Sequence, residues 1–163
     1  MKLLLNMAMV LFLALPTLTT QAQYNQDTAV VKKMITDRQY IFEAQQVMPS
    51  GGRTISLTSD YDLKITKDSI VAYLPYYGRA YSANIGSSEG GIKFNSKQFD
   101  YTVREKKGGW DISIKPKDAR DVQQLELSIF NNGNASLNVN STNRQAISYS
   151  GYVVAPASHR KKK

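Results

Sequence analysis

The sequence predicts a mainly β domain of the α+β class, with one N-terminal helix packed on an antiparallel, barrel-like curled sheet of about eight strands. Two observations predict it. Apolar residues recur at helical spacing only near the start of the chain. After Gly52 the apolar pattern changes to a period of two, interrupted by glycine- and asparagine-rich turns. A two-sheet β-sandwich fits the same pattern, because strand count alone does not separate the two architectures.

The first segment has the pattern of a secretory signal peptide. Lys2 supplies a positive charge, residues 3–15 form an apolar run, and Ala22 fits the position before a cleavage site. The run is shorter than a membrane-spanning helix requires. We therefore expect residues 1–22 to be removed on export, no transmembrane segment to remain, and the protein to reside outside the cytoplasm, in the periplasm.

Length and composition restrict the class of protein that the mature chain can form. Removal of residues 1–22 from 163 leaves 141, the usual size of one domain, which we place at residues 23–157, followed by a basic, disordered tail at 158–163. There is no cysteine, so the exported domain is held together without disulfides. Loss of Lys2 and of the four basic residues at 160–163 lowers the formal charge of +8 by five, to +3. No nucleic-acid partner is expected for such a chain.

The helix is predicted from about Asp27 to Val47. Asp27 or Thr28 can cap its start, and residues 49–52, Pro-Ser-Gly-Gly, supply a stop. We expect its apolar stripe, including Val30, Met34 and Ile41, to pack on the sheet. The predicted strands then follow at residues 55–65, 70–74, 91–94, 98–105, 110–115, 125–131, 136–140 and 147–154. Glycines at 108–109 and 133 mark tight turns between them.

The most unusual segment runs from Val71 to Tyr81 and reads Val-Ala-Tyr-Leu-Pro-Tyr-Tyr-Gly-Arg-Ala-Tyr. Pro75 must end regular strand pairing, because it has no N–H to donate. The loop after it combines aromatic faces with an arginine, so it can hold a ligand or fasten the loop itself. The candidate binding residues are Tyr73, Tyr76, Tyr77, Arg79, Tyr81 and Trp110.

Together with Gly-Gly-Ile-Lys-Phe at residues 90–94, this segment resembles the Bacteroidota family named domain of unknown function 4251. The resemblance extends over essentially the whole mature chain. It implies a location in a Gram-negative envelope, and it implies no activity or catalytic residue.

The sequence contains few residues of the kinds that enzymes use for catalysis. The single histidine, His159, lies in the basic tail, which removes the usual partner of a serine or cysteine nucleophile and the usual nitrogen ligand of zinc. Asp60 and Asp62 could form a hydrolase pair, but they are better explained as a hairpin turn or a solvated face. We expect a non-enzymatic binding or interaction module with no cofactor and no metal. The alternatives are an envelope assembly factor that binds another protein and, less favoured, a carboxylate-dependent hydrolase.

Overall fold

The computed structural model describes residues 25–79 and 90–157. This part of the chain forms one helix and nine strands in a single sheet, and it contains no helix of the length and hydropathy needed to cross a membrane. The predicted signal peptide, Tyr81 and the basic tail lie outside the described residues. The elements are α1 (Thr28–Asp37), β1 (Tyr40–Pro49), β2 (Ile55–Ile65), β3 (Ile70–Leu74), β4 (Ile92–Ser96), β5 (Phe99–Lys106), β6 (Gly109–Pro116), β7 (Val122–Phe130), β8 (Asn134–Ser141) and β9 (Ile147–Val154).

The helix begins where the sequence predicts, but it ends much earlier than the sequence predicts. The side chain of Asp27 accepts a hydrogen bond of 2.8 Å from the backbone N–H of Ala29, which caps the first turn. Arg38 ends the helix in the left-handed conformation, with a φ of 51°. The prediction of a helix to Val47 was wrong, because residues 40–49 form β1. Met34 is buried as expected, whereas Val30 is 46% exposed and Ile41 is buried within a strand.

The strands follow one another around a nearly closed barrel. Their spatial order is β4-β3-β2-β1-β9-β8-β7-β6-β5, and every neighbouring pair is antiparallel. Strand direction reverses at each of the eight pairs between the two edge strands. Because eight is an even number, β4 and β5 run in the same direction. Only Lys97 and Gln98 connect them. The two edges are therefore consecutive parts of one bent stretch of chain, which brings the edges together and excludes the two-sheet sandwich.

Asp118 fastens the bend between β4 and β5. Its carboxylate accepts hydrogen bonds from the Ser96 hydroxyl and from the backbone N–H groups of Lys97, at 2.9 Å, and Gln98, at 3.3 Å. These bonds, with that from Ser96 the largest contribution, lower the pKa of Asp118 below its ordinary value. The Lys117 N–H also donates to the Gln98 carbonyl at 2.7 Å. Side-chain and backbone hydrogen bonds thus hold the two edges together at one corner of the nearly closed barrel.

The interior of the barrel is apolar. Facing residues of adjacent strands, such as Phe42 with Leu63 and with Val153, are fully buried. Val31, Met34 and Ile35 of α1 join the same core, so the helix covers part of the barrel. Between the strands, Gly108 and Gly133 adopt positive φ at the two turns predicted from sequence.

Candidate functional site

The strand β3 ends at Leu74, and the chain after it is fastened to β9. Pro75 is buried and has no N–H, but its carbonyl oxygen accepts a hydrogen bond of 2.6 Å from the hydroxyl of Tyr149. Tyr149 is fully buried in β9, and that burial raises the pKa of its hydroxyl far above the usual range. Tyr149 is therefore a neutral hydrogen-bond donor that fixes the start of the loop.

Tyr76 fastens the next part of the loop. Its hydroxyl lies 2.8 Å from the carbonyl oxygen of Arg79 and 3.1 Å from that of Gln145, so one proton serves two acceptors. The Gln145 N–H also donates to the Arg79 carbonyl at 3.1 Å. The guanidinium of Arg144 lies 5.2 Å from the centre of the Tyr76 ring. Tyr76 thus has a structural role.

An open pocket of about 280 Å³ lies beside this fastened loop. Its side-chain walls come from Tyr61 on β2, Tyr73 on β3, Tyr77 in the loop and Lys93 on β4. The Tyr61 and Tyr73 rings are stacked with their centres 5.5 Å apart, and the Lys93 ammonium lies 4.8 Å from the centre of the Tyr73 ring. Tyr73 is 43% exposed and Tyr77 is 50% exposed.

The predicted site residues separate into two groups. Tyr73, Tyr76 and Tyr77 line the pocket, whereas Trp110 does not: it is buried on β6 and lines a different depression beside α1. Arg79 lies on the fastened loop with an exposed side chain, and its carbonyl oxygen accepts the loop's hydrogen bonds. Tyr81 lies outside the described residues.

Sequence reasoning missed two of the pocket's walls, Tyr61 and Lys93. Both lie in strands that the sequence predicts, but they meet Tyr73 only through strand pairing. In the register of β3 and β4, Lys93 stands directly opposite Tyr73. The alternation of β4 could have shown that Lys93 faces away from the core, although it does not show which residue stands opposite.

The acidic residues singled out in the sequence lie within a continuous strand. Asp60 and Asp62 both belong to β2, so of the two explanations expected for them, a hairpin turn or a solvated face, the hairpin turn does not form. Asp60 is exposed and Asp62 is half-buried. Across residues 25–79 and 90–157, no group of three acidic, histidine or cysteine side chains is placed to hold a metal ion.

A more polar depression of about 460 Å³ lies on the outer face of β5, β6 and β7. Asp111 is its central acid, and it accepts hydrogen bonds from the Lys106 ammonium and, at 2.6 Å, from the Ser128 hydroxyl. These bonds, that from Lys106 foremost, lower the pKa of Asp111. Nearby, the Gln124 amide donates to Glu126 at 2.8 Å. Because these polar groups bind one another, we favour the tyrosine-lined pocket as the candidate site.

The fold and the site together define a small, helix-covered β-barrel domain with an aromatic pocket on its outer surface. Residues 22–153 match the family model described as a domain of unknown function, DUF4251, and the chain belongs to that family. It is similar in fold to the crystal structure of a DUF4251 family protein from Bacteroides eggerthii, with a TM-score of 0.57 and 18% identity, covering 78% of this chain and 87% of that one. No curated protein matches.

Proposed function

We propose that the protein is an exported, non-enzymatic binding module whose ligand occupies the pocket formed by Tyr61, Tyr73, Tyr77 and Lys93. The observation that carries this proposal is the exposure of Tyr73 and Tyr77, 43% and 50%, on the walls of one pocket. A tyrosine ring presents a large apolar face with a polar tip. Such a side chain suits a surface that is hydrated in the free protein and buried in the complex with a ligand.

The frame around the pocket supports the proposal. Tyr149 holds Pro75, Tyr76 holds Arg79, and the Arg144 guanidinium donates to the Gly91 carbonyl at 3.1 Å. These bonds fix both sides of the pocket before any ligand arrives. A preformed pocket loses less conformational entropy on binding than one that must be ordered.

A protein partner is the second candidate, in which case the module serves envelope assembly. The pocket, at about 280 Å³, lies just below the usual range for ligand cavities, which is about 300–1,000 Å³, and tyrosine is enriched at protein interfaces. The two candidates differ in what remains bound after purification. A small molecule is detected by native mass spectrometry as an added mass below that of a polypeptide, whereas a partner protein is identified as a second chain.

Export is proposed from the N-terminal sequence. The mature chain should begin at Gln23, because Ala22 is a small residue at the end of a short apolar segment. Intact-mass measurement of protein from the periplasmic fraction tests this directly. A chain that keeps residues 1–22 in the membrane would contradict the proposed location.

The binding role is tested by purifying the mature protein from periplasm, identifying the bound species and titrating it back. We expect Tyr77→Ala to weaken binding at least tenfold, about 1.4 kcal/mol, with little change in melting temperature. Arg79→Ala removes a charge but keeps the carbonyl that fastens the loop, so it tests the arginine side chain alone. Phe130→Ala, which removes another exposed aromatic ring outside the pocket, is the control. Unchanged affinity in Tyr77→Ala would overturn the proposal.

A further inference from the structure

The strand β5 has one edge without a partner strand. It pairs with β6 on one side, whereas β4, which precedes it in the chain, pairs with β3. Beyond the corner at Asp118, residues 102–106 of β5 are all exposed, and the apolar side chain of Val103 among them is 41% exposed. An exposed edge of eight residues is open to pairing with another strand.

The hydrogen-bond pattern shows which backbone groups of β5 face away from β6. The Lys117 N–H donates to the Gln98 carbonyl, one residue before β5 begins. Ladder bonds between antiparallel strands alternate, so the even-numbered residues of β5 bond to β6 and the odd-numbered residues point outward. Tyr101, Val103 and Glu105 therefore direct their N–H and C=O groups away from the sheet. In the part of the chain that the structure describes, no other backbone group bonds to them.

The helix α1 lies beside this edge without covering it. The Arg38 guanidinium is 4.6 Å from the centre of the Tyr101 ring, and the Lys32 ammonium is 3.7 Å from the Glu105 carboxylate. The Cα atoms of α1 and β5 are almost all more than 8 Å apart. An open depression of about 330 Å³ lies between the two elements, and Val103 lines it. A strand that adds to β5 therefore has space for its inner side chains.

The charges on β5 are arranged so that the strand complements itself. Asp100 lies near its start, Lys106 at its end and Val103 midway between them. Charged side chains usually keep two edge strands apart. When two copies of β5 pair antiparallel around Val103, however, each Asp100 stands opposite the partner's Lys106, and opposite charges in facing positions favour pairing. Both side chains also form ion pairs on their own sheet, Asp100 with Lys117 at 2.7 Å and Lys106 with Asp111, so they select the register more than they add affinity.

We infer that two copies of the protein pair through β5, antiparallel and centred on Val103, to form a symmetric dimer. In this register Val103 stands opposite the partner's Val103, and Tyr101 stands opposite the partner's Glu105. The outward N–H and C=O groups of both copies are then satisfied. The two Val103 side chains meet beside α1 and bury apolar surface that is exposed in the single copy. This surface is separate from the aromatic pocket on β2, β3 and β4.

The test is the molar mass of the mature protein, measured by sedimentation equilibrium at increasing concentration. We expect a monomer–dimer equilibrium, and Val103→Pro should raise the Kd of the dimer at least tenfold. Proline removes the N–H that faces the partner and leaves the bonds to β6 in place. Val103→Asp places two carboxylates opposite each other and should have the same effect. Val71→Asp, at an exposed valine of the fully paired strand β3, is the control, and melting curves verify that each variant is folded.

Exchange of the charges at the two ends tests the register. Asp100→Lys and Lys106→Asp should each raise the Kd at least fivefold, because each change places like charges opposite each other twice in the dimer. The double variant, with both changes, should bind within about twofold of the parent. A purely local role of either side chain on its own sheet does not produce this rescue.

Introduced cysteines test the centre of the pairing. The chain contains no cysteine, so one introduced thiol can link only two copies. Val103→Cys should form a disulfide-linked dimer, since hydrogen-bonded opposed Cα atoms lie about 5.5 Å apart. Thr102→Cys should not, because Thr102 stands opposite the partner's Arg104.

Different outcomes separate this inference from the proposed function. A protein that stays monomeric up to about 1 mM overturns the dimer and leaves the binding module standing. A dimer that neither Val103→Pro nor Val103→Asp weakens also overturns it, because the copies then associate through another surface. Linkage of Thr102→Cys in preference to Val103→Cys overturns the register centred on Val103.

Discussion

The hydroxyl of Tyr149 donates a hydrogen bond of 2.6 Å to the carbonyl oxygen of Pro75, joining residues on β9 and at the end of β3. Both residues are buried, so this carbonyl has no ready access to water. The bond is the innermost of those that fix the loop beside the aromatic pocket. Its loss therefore affects the stability of the domain and the shape of the candidate site together.

Tyr149→Phe keeps the ring and removes the donor. We expect the free energy of unfolding to fall by about 1–3 kcal/mol, because the Pro75 carbonyl is left buried without its partner. Urea unfolding followed by tryptophan fluorescence measures the change. Tyr152→Phe removes a hydroxyl on the outer face and should cost less. Equal losses in the two variants would contradict the importance of the buried bond.

The helix offers a matched pair of apolar side chains. Met34 is 5% exposed and packs in the core, while Val30 is 46% exposed. Met34→Ala should lower the free energy of unfolding by about 2–5 kcal/mol, since it leaves a cavity. Val30→Ala should change it by about 0.5 kcal/mol or less. Similar unfolding curves for the two variants would show that α1 is not docked as described.

Gly151 is placed where the backbones of β9 and β1 approach closely. A Cβ atom there would overlap the carbonyl oxygen of Glu43, which belongs to the backbone and has no freedom to rotate away. Gly151→Ala should therefore destabilise the β1–β9 pairing by several kcal/mol. Gly90→Ala is the control, because a Cβ at Gly90 meets no atom within 4 Å. Thermal melting compares the two, and an unchanged melting temperature in Gly151→Ala would contradict the register.

The corner at Asp118 should make stability depend on pH in the acid range. Its pKa is lowered on folding from an ordinary value of 3.8. A lowered carboxyl pKa means that the stabilisation is complete above the unfolded value and is lost as the pH falls through the folded value. The melting temperature should fall below about pH 4, and the fall should be smaller in Asp118→Asn. Identical pH profiles would exclude this contribution.

The sequence predicted most strands but not the first one, for a physical reason. Tyr40, Ile41 and Phe42 are all buried, so β1 lacks the alternation that identifies a half-buried strand. Ile41 and Phe42 also continue the apolar spacing of the helix. The actual stop is Arg38 in a left-handed conformation, a position where glycine is the usual signal. The apolar periodicity therefore predicted a helix that continues through the residues of β1.

The candidate site was predictable only where it is local in sequence. Tyr73, Tyr76 and Tyr77 lie within five residues of one another, and the segment alone indicates them. Tyr149 and Gln145 are distant in sequence and meet the loop only after β9 has paired with β1. Lys93 likewise meets Tyr73 only through the register of β3 and β4, and register follows from the assembled sheet.

The bent path through β4 and β5 also bears on how the chain folds. Apart from the pair formed by β1 and β9, every strand pairs only with its neighbours in sequence, so the groups β1–β4 and β5–β9 can each form through local loop closures. The pairing of β1 with β9 joins segments about a hundred residues apart, and it incurs a larger entropic cost before its contacts compensate. This seam sets the folding rate in such a scheme, and it is also where Glu43 meets Tyr152.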